Sequence, residues 1–371
     1  MESSKKKKIY ERLHMDKFSF WTIVSLVIII LCIIFIVYPF LNLIIQSFHD
    51  SKTETFTLKN YMRFWEKKYY KQALGNSLLI STVVTILATC LGVPLAYIGT
   101  RFNLYLKKLI YVMIVLSMVS PPFIGAYAWI TLLGRAGFIT KILEGIGIDV
   151  GVIYGFKGFV LVFTLKLYPM VYLYVSGALG SIDSSLEEAS ENLGVSGIKR
   201  ILKVTFPVIT PTILSAALMV FMTALADFGT PRLIGEGYNT LPVIIYKEFL
   251  NEVGTDTGFA SALSVVIILI ALIVLFIQKR FVDSKSYNMT SLRPPKVIEL
   301  SKPKKILATA VVFLVSFLSV LPQITVTIQS FLKTNGPLFV KGFSLESYRL
   351  VAGKLSQSIT NTFVYAFIAL I

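Results

Sequence analysis

The sequence predicts an all-α polytopic membrane protein, and three observations carry that prediction. Apolar residues make up 55% of the 371-residue chain and charged residues only 15%. The apolar residues fall in repeated runs of about 20, the length an α-helix needs to cross a bilayer core. The runs lack the short alternating segments of a transmembrane barrel, which leaves helices as the way to satisfy a backbone in lipid. The formal charge of +16 does not point to nucleic acid, because the basic residues gather beside apolar runs instead of on a soluble face. They cluster at Lys5–Lys8 and, in one linker, at Lys279, Arg280, Lys285, Arg293, Lys296, Lys302, Lys304 and Lys305.

Spans are expected at 18–46, 75–99, 109–133, 157–180, 208–229, 258–280, 306–329 and 358–371. The run that opens the chain is too long for a cleaved signal peptide and no small-residue cleavage site follows it. The basic segment 1–17 is placed in the cytoplasm. Alternation then puts loops 100–108, 181–207 and 281–305 inside, and 47–74, 134–156, 230–257 and 330–357 outside. The loop 47–74 carries six Lys/Arg against the positive-inside trend, and the first helix is taken to decide. Pro39, Pro94, Pro121, Pro122, Pro169 and Pro322 fall inside spans, where each removes a helix hydrogen bond and favours a kink. The two cysteines, Cys32 and Cys90, sit in apolar runs at no metal-ligand spacing and are expected to be buried free thiols.

The chain repeats itself. VYPFLNLIIQSFHD (37–50) matches VLPQITVTIQSFLK (320–333), FTLKNYMRFW (56–65) matches FSLESYRLVA (343–352), and GNSLLISTVV (75–84) matches TNTFVYAFIA (360–369). Pro39 to Pro322 is 283 positions and Asn76 to Asn361 is 285. Polar positions match as well as apolar ones: Gln46/Gln329, Ser47/Ser330, Tyr61/Tyr348 and Asn76/Asn361. The copies begin six expected spans apart, at the first and the seventh, and an even offset keeps them in one orientation, as a parallel repeat. The sequence stops inside the eighth expected span, so a second copy is expected to continue beyond Ile371, with a second charged hairpin about 285 residues after the first.

That hairpin is EEASENLGVSGIKRILKVTFP, Glu187–Pro207. Ser184 or Ser185 can cap a helix, with Glu187 and Glu188 at capping-box spacing. Leu186, Ala189 and Leu193 share one face, and Gly194 ends the helix. Ser196 can start a second short helix with the apolar stripe Ile198, Ile201 and Leu202, and Pro207 suits the first turn of the next span. By composition alone this is either an interfacial loop on lipid headgroups or a docking surface.

The order of residues resembles a known family. Glu188-Ala189-Ser190, three residues, Gly194, nine residues, then Val204-Thr205-Phe206-Pro207 is similar to the EAA loop of permease subunits in binding-protein-dependent ATP-binding-cassette importers. That loop reads E-A-A, three residues, G, nine residues, I-x-L-P. Ser190, Val204 and Phe206 are mild departures. The flanks KLYPMVYLYVSGALGSIDSSLEEASENLG and VFMTALADFGTPRLIG resemble the fused, duplicated permeases of ferric-iron-type importers. The likeness covers nearly the whole chain. It implies a MetI-like six-span permease half followed by the start of a second parallel-repeat half, C-terminally truncated.

On that reading the chain divides into 1–17, a basic N-terminus; 18–74, the first span and its loop; 75–280, the permease core with the EAA loop at 184–207; 281–305, a linker; and 306–371, the start of the second half. The resemblance also implies that Glu187, Glu188, Ala189, Ser190, Gly194 and Pro207 couple to a separate ATPase dimer. The chain has no phosphate-loop motif, so ATP belongs on that partner and no cofactor on this chain. An extracytoplasmic solute-binding protein would choose the cargo in a bacterial cell membrane.

The resemblance implies ferric iron as cargo, with thiamine, 2-aminoethylphosphonate and polyamine as alternatives in the same importer class. An ion-coupled secondary transporter would show several buried ionisable groups and no docking loop. A membrane enzyme would need a polar catalytic cluster, and the only histidines are His14 and His49. Within the spans, Lys166 and Asp227 are the ionisable candidates for a pathway or gate. Asp227 has Arg232 as a neighbour with which it could simply pair; the sequence names no partner for Lys166.

Overall fold

The computed structural model describes residues 20–51, 53, 55–119, 121–148, 153–250, 256–283, 293, 295–335 and 338–370. The basic segment 1–17 and Lys285 lie outside them. Seven helical runs among the described residues are long and apolar enough to cross a membrane, against eight expected: the third lies at Phe123–Gly145 and not 109–133, and the helix at the eighth position, Ser356–Leu370, has 15 residues and is too short to count. The helices are α1 (Phe20–Ser47), α2 (Lys59–Glu66), α3 (Lys68–Arg101), α4 (Lys107–Met118), α5 (Pro122–Leu133), α6 (Phe138–Gly145), α7 (Phe156–Gly180) and α8 (Ser184–Asn192). There follow α9 (Gly197–Ala226), α10 (Gly229–Ile234), α11 (Leu241–Phe249), α12 (Thr257–Asp283), α13 (Lys302–Ser330), α14 (Glu346–Lys354) and α15 (Ser356–Leu370). An antiparallel pair, β1 (Leu332–Asn335) and β2 (Leu338–Phe343), occupies the loop expected at 330–357.

Prolines shape the helices in two ways. The expected span 109–133 is broken, because Pro122 pushes the preceding Pro121 into an extended conformation, φ −58° and ψ 142°, between α4 and α5. By contrast α1 and α9 absorb their prolines without breaking. Each carries one π-helical turn, Ile33–Val37 and Ile201–Thr205, immediately before the Tyr38-Pro39 and Phe206-Pro207 steps. The wider turn carries the helix past a ring that would clash in a regular α-turn. The second short helix expected after Ser196 is therefore not separate: it is the first turn of α9, and the fifth span starts at Gly197. Cys32 and Cys90 are exposed, against the expectation of burial. A uniformly apolar run does not reveal which of its faces packs inward.

The described residues of Met1–Lys71 and Ile245–Leu269 form one compact unit. Arg63 is its centre. Its Nη1 donates to Asp256 Oδ2 at 2.6 Å, its Nη2 lies 3.6 Å from Glu248, and its guanidinium stands 3.9 Å from the Phe259 ring centroid. The Tyr70 hydroxyl donates to Glu248 at 2.9 Å. Asn60 Nδ2 donates to the carbonyls of Ser47 and His49, which closes the corner after α1.

The second unit comprises Gln72–Ile244 and Ile270–Ile371. Its core centres on Phe159, Phe163 and Tyr168 of α7, which packs against α9. A Cβ added at Gly92 of α3 would sit 2.7 Å from Val171 Cβ, so glycine sets this close helix approach. The second-copy helix α13 lies along α4 and α5. Polar groups hold it there: Tyr168 Oη meets Ser319 Oγ at 3.1 Å, and Gln323 Nε2 donates to the Ser117 carbonyl at 3.2 Å.

The repeat is visible in atomic detail. Ser47 Oγ meets Tyr61 Oη at 2.7 Å, and Ser330 Oγ meets Tyr348 Oη at 2.7 Å. Phe48 stacks on Phe56 at 5.4 Å, and Phe331 on Phe343 at 5.6 Å. Thr57 N–H donates to the Phe48 carbonyl, as Ser344 N–H does to that of Phe331. The two copies thus build the same corner after their first spans.

Arg63→Ala is expected to destabilise the protein by about 2 kcal/mol, the scale of lost charge-assisted hydrogen bonds. Arg63→Lys should recover less than half of this, because an ammonium cannot both fork to Asp256 and stack on Phe259. Thermal unfolding in detergent measures both.

Candidate functional site

The charged hairpin is built as a short helix fixed by polar contacts on its inward side. Asp183 caps α8: its Oδ1 accepts from Ser185 N–H at 2.8 Å. This replaces the expected Ser184 or Ser185 capping box. Asp and Ser cap about equally well, but Ser184 is already helical and buried, and Asp183 Oδ2 also accepts from Arg293 N–H at 3.2 Å. At the other end the Gly194 N–H donates to the Glu191 carbonyl at 2.9 Å and Val195 N–H to that of Ser190 at 2.9 Å. With Gly194 at φ +78° this is a Schellman turn, so the expected glycine stop is present.

Of the expected apolar stripe Leu186, Ala189 and Leu193, only Leu186 faces inward. Ser184 and Ser190 are buried and Leu186 is partly buried against the core. Glu187 also points inward, its side chain 14% exposed, and pairs with Arg101 from the end of α3, whose side chain is 3% exposed. Ala189 is exposed, and Leu193 is 82% exposed. Beyond the turn, Ile198 is 74% exposed and Leu202 62%. The buried polar anchor overrides the apolar periodicity, because Arg101 must be paired wherever it is buried.

Two further ion pairs brace the segment. Lys296 Nζ meets Glu188 Oε1 at 2.8 Å, and Arg200 pairs with Glu191. Hydrogen bonding from Lys296 holds the Glu188 carboxyl below the usual carboxylate range, and Glu188 holds the Lys296 ammonium above the usual lysine range. Pro207 follows the π-turn that joins this segment to the span. Sequence reasoning missed Arg101 and Lys296 as anchors. Their signal was a basic residue ending an apolar run and a basic linker.

Lys166 and Asp227 are brought together. Lys166 Nζ donates to Asp227 Oδ2 at 2.7 Å, and Asp227 Oδ1 accepts from Thr230 N–H at 2.9 Å. Asp227 is therefore held by Lys166 across α7 and α9, whereas Arg232 was its anticipated neighbour. A cavity of about 20 Å³ lies beside the pair, lined by Ser117, Trp129, Lys166, Thr230 and Gln323. That is room for one water. Among the described residues there is no group of three or more His, Cys, Asp or Glu able to hold a metal ion.

Residues 88–287 match the family model of the binding-protein-dependent transport system inner membrane component. The chain belongs to this family. The family and the seven apolar helical runs make it a multi-pass inner-membrane protein. The chain is 30% identical over 278 residues to the ferric transport system permease protein FbpB of Actinobacillus pleuropneumoniae, covering 74% of this chain and 40% of that one. It is 31% identical over 279 residues to a putative FbpB of Haemophilus influenzae, covering 74% and 43%. The chain thus spans about two fifths of the length of these relatives. It is 27% identical to the spermidine/putrescine permease PotB of Haemophilus influenzae, covering 67% and 89%. Its fold is similar to a chain of a bacterial ABC transporter involved in the import of the acidic polysaccharide alginate, with a TM-score of 0.62 and 18% identity, covering 76% and 100%.

Arg101→Ala should cost about 3 kcal/mol, since it leaves Glu187 buried and unpaired. Gly194→Ala should cost about 1 kcal/mol from backbone strain alone, because a Cβ there meets nothing within 4 Å. Both are read by thermal unfolding. The lowered Glu188 pKa stabilises the fold above the usual carboxylate pKa, and this contribution is lost as pH falls through the lowered value. The raised Lys296 pKa contributes below the usual lysine pKa, and is lost as pH rises through the raised value. A melting-temperature difference between wild type and Lys296→Gln should therefore be present near neutral pH and close toward acid.

Proposed function

We propose that this chain is the transmembrane permease of an ATP-driven, binding-protein-dependent importer, and that the segment Glu187–Pro207 is where a separate ATP-binding-cassette ATPase dimer docks. The observation that carries this is the outward apolar edge of Ala189 and Leu193, continued past the turn by Ile198, on a segment whose helix α8 has a polar, ion-paired inward side. A helix resting only against its own protein would turn Leu193 inward. A helix that offers Leu193 while fixed by Glu187 is prepared to receive a groove. Glu188, Ser190, Gly194 and Pro207 then shape the helix and its turn, and ATP stays on the partner.

Ferric iron is the favoured cargo, supported by the names of the two ferric relatives. Thiamine, 2-aminoethylphosphonate and polyamines are the alternatives; the spermidine/putrescine relative gives the last its support. An extracytoplasmic solute-binding protein is the second partner, by analogy with an alginate transporter solved in complex with a periplasmic protein, whose chain has a TM-score of 0.59 to this one. The N-terminus is assigned to the cytoplasm. Lys166 and Asp227 form a gate-side pair: joined, they present no net charge to a passing ion.

Leu193→Asp should lower ATPase retention on the purified permease at least tenfold while leaving thermal unfolding unchanged, as for an exposed apolar anchor. Equal retention by wild type and variant would refute the docking assignment.

A further inference from the structure

The stretch after α12 does more than join two halves. Arg293 N–H donates to Asp183 Oδ2 at 3.2 Å, and its carbonyl accepts from Ser184 N–H at 3.2 Å, so Arg293 clasps the cap of α8. Lys296 meets Glu188 at 2.8 Å on the same helix. Ile298 N–H donates to the Arg101 carbonyl at 2.8 Å, and the Ile298 carbonyl accepts from Asn103 N–H at 3.3 Å, a parallel bridge to Phe102. Four residues later α13 begins. There Lys305 Nζ stands 4.3 Å from the Tyr105 ring centroid, and Tyr105 N–H donates to Thr309 Oγ1 at 3.1 Å. One short stretch therefore holds the cap of α8, the residue that anchors α8, and the approach to the first helix of the second repeat.

A tether needs none of these contacts, and ordering a chain costs about 1–2 kcal/mol per residue in backbone entropy. Pro295, whose ring fixes φ, also stiffens the backbone just before Lys296. We propose that Arg293 and residues 295–299 form a positioning strap. It transmits displacement of the docked helix α8 to α13, so that one ATPase contact moves the first helix of the second repeat together with the first core. The transmission rests on the docking reading above; the physical linkage of strap, α8 and α13 does not.

Hydrogen exchange of the full chain in lipid nanodiscs, without ATPase, tests the linkage. Ile298→Pro removes the N–H donated to Arg101, and Lys296→Glu sets a like charge against Glu188. Each should speed amide exchange in Ser185–Asn192 and in the first turns of α13 about fivefold, the scale of one lost hydrogen bond. The swap Glu188→Lys/Lys296→Glu should restore wild-type exchange. Faster exchange confined to 293–299, with α8 and α13 unchanged in both variants, would overturn the proposal. With the ATPase added, Lys296→Glu should retain the ATPase yet transport several-fold less solute per ATP. Unchanged stoichiometry would overturn the transmission. Failure of wild type to retain the ATPase would refute docking and transmission together, and the exchange result would still decide the strap.

Discussion

A buried arginine at the end of a membrane helix must have a counter-charge, and Arg101 finds it in Glu187. Around that pair the rest of the hairpin is arranged. With Glu187 turned inward, the 3.6-residue period of α8 brings Ser184 and Ser190 to the same side, and Ala189 and Leu193 away from it. The pair is no source of great net stability, because desolvating both charges offsets most of their attraction. Its effect is orientational. It fixes which face of α8 is outward and ties that helix to the end of α3, a 34-residue helix that runs through the core. On the docking proposed above, a load on the exposed apolar edge reaches α3 through this charged connection.

The membrane part of the chain lacks a hydrophobic driving force between helices, so its packing relies on small residues and polar links. Gly92 permits the approach of α3 to α7, and Tyr168 with Ser319 and Gln323 with Ser117 hold α13 to the first core. The two repeat corners show the same economy. A serine–tyrosine hydrogen bond and a stacked phenylalanine pair recur in both, 283 to 287 positions apart as counted from Ser47/Ser330 and Tyr61/Tyr348. In the first corner the matching region is secured by Arg63 to Asp256 and Glu248.

Much of this was legible in the sequence, for stated physical reasons. Span length and the repeat followed from apolar run length and matched polar residues. The Gly194 stop followed from the need for a left-handed residue at a helix end. What escaped was what depends on distant partners. The cap moved to Asp183, whose second oxygen accepts from Arg293 N–H 110 positions away. Ala189 and Leu193 turned outward because Arg101, 86 positions away, pairs with Glu187. Asp227 took Lys166 over Arg232 because α7 and α9 pack together, which local sequence does not encode. The two thiols lie on outward faces for the same reason. The Pro121-Pro122 break, by contrast, was in plain view: adjacent prolines interrupt a helix more than a single one does.

On the docking proposed above, the Arg101–Glu187 pair carries motion from α8 into the spans. A double-mutant cycle with Arg101→Met and Glu187→Met, reading solute transported per ATP hydrolysed by the full-length permease with its ATPase in proteoliposomes, tests it most directly. The account predicts that each single variant keeps the ATPase bound but wastes most hydrolysis, and that the double variant is no worse than either single. Full coupling in both single variants, or losses that add independently in the double, would contradict it.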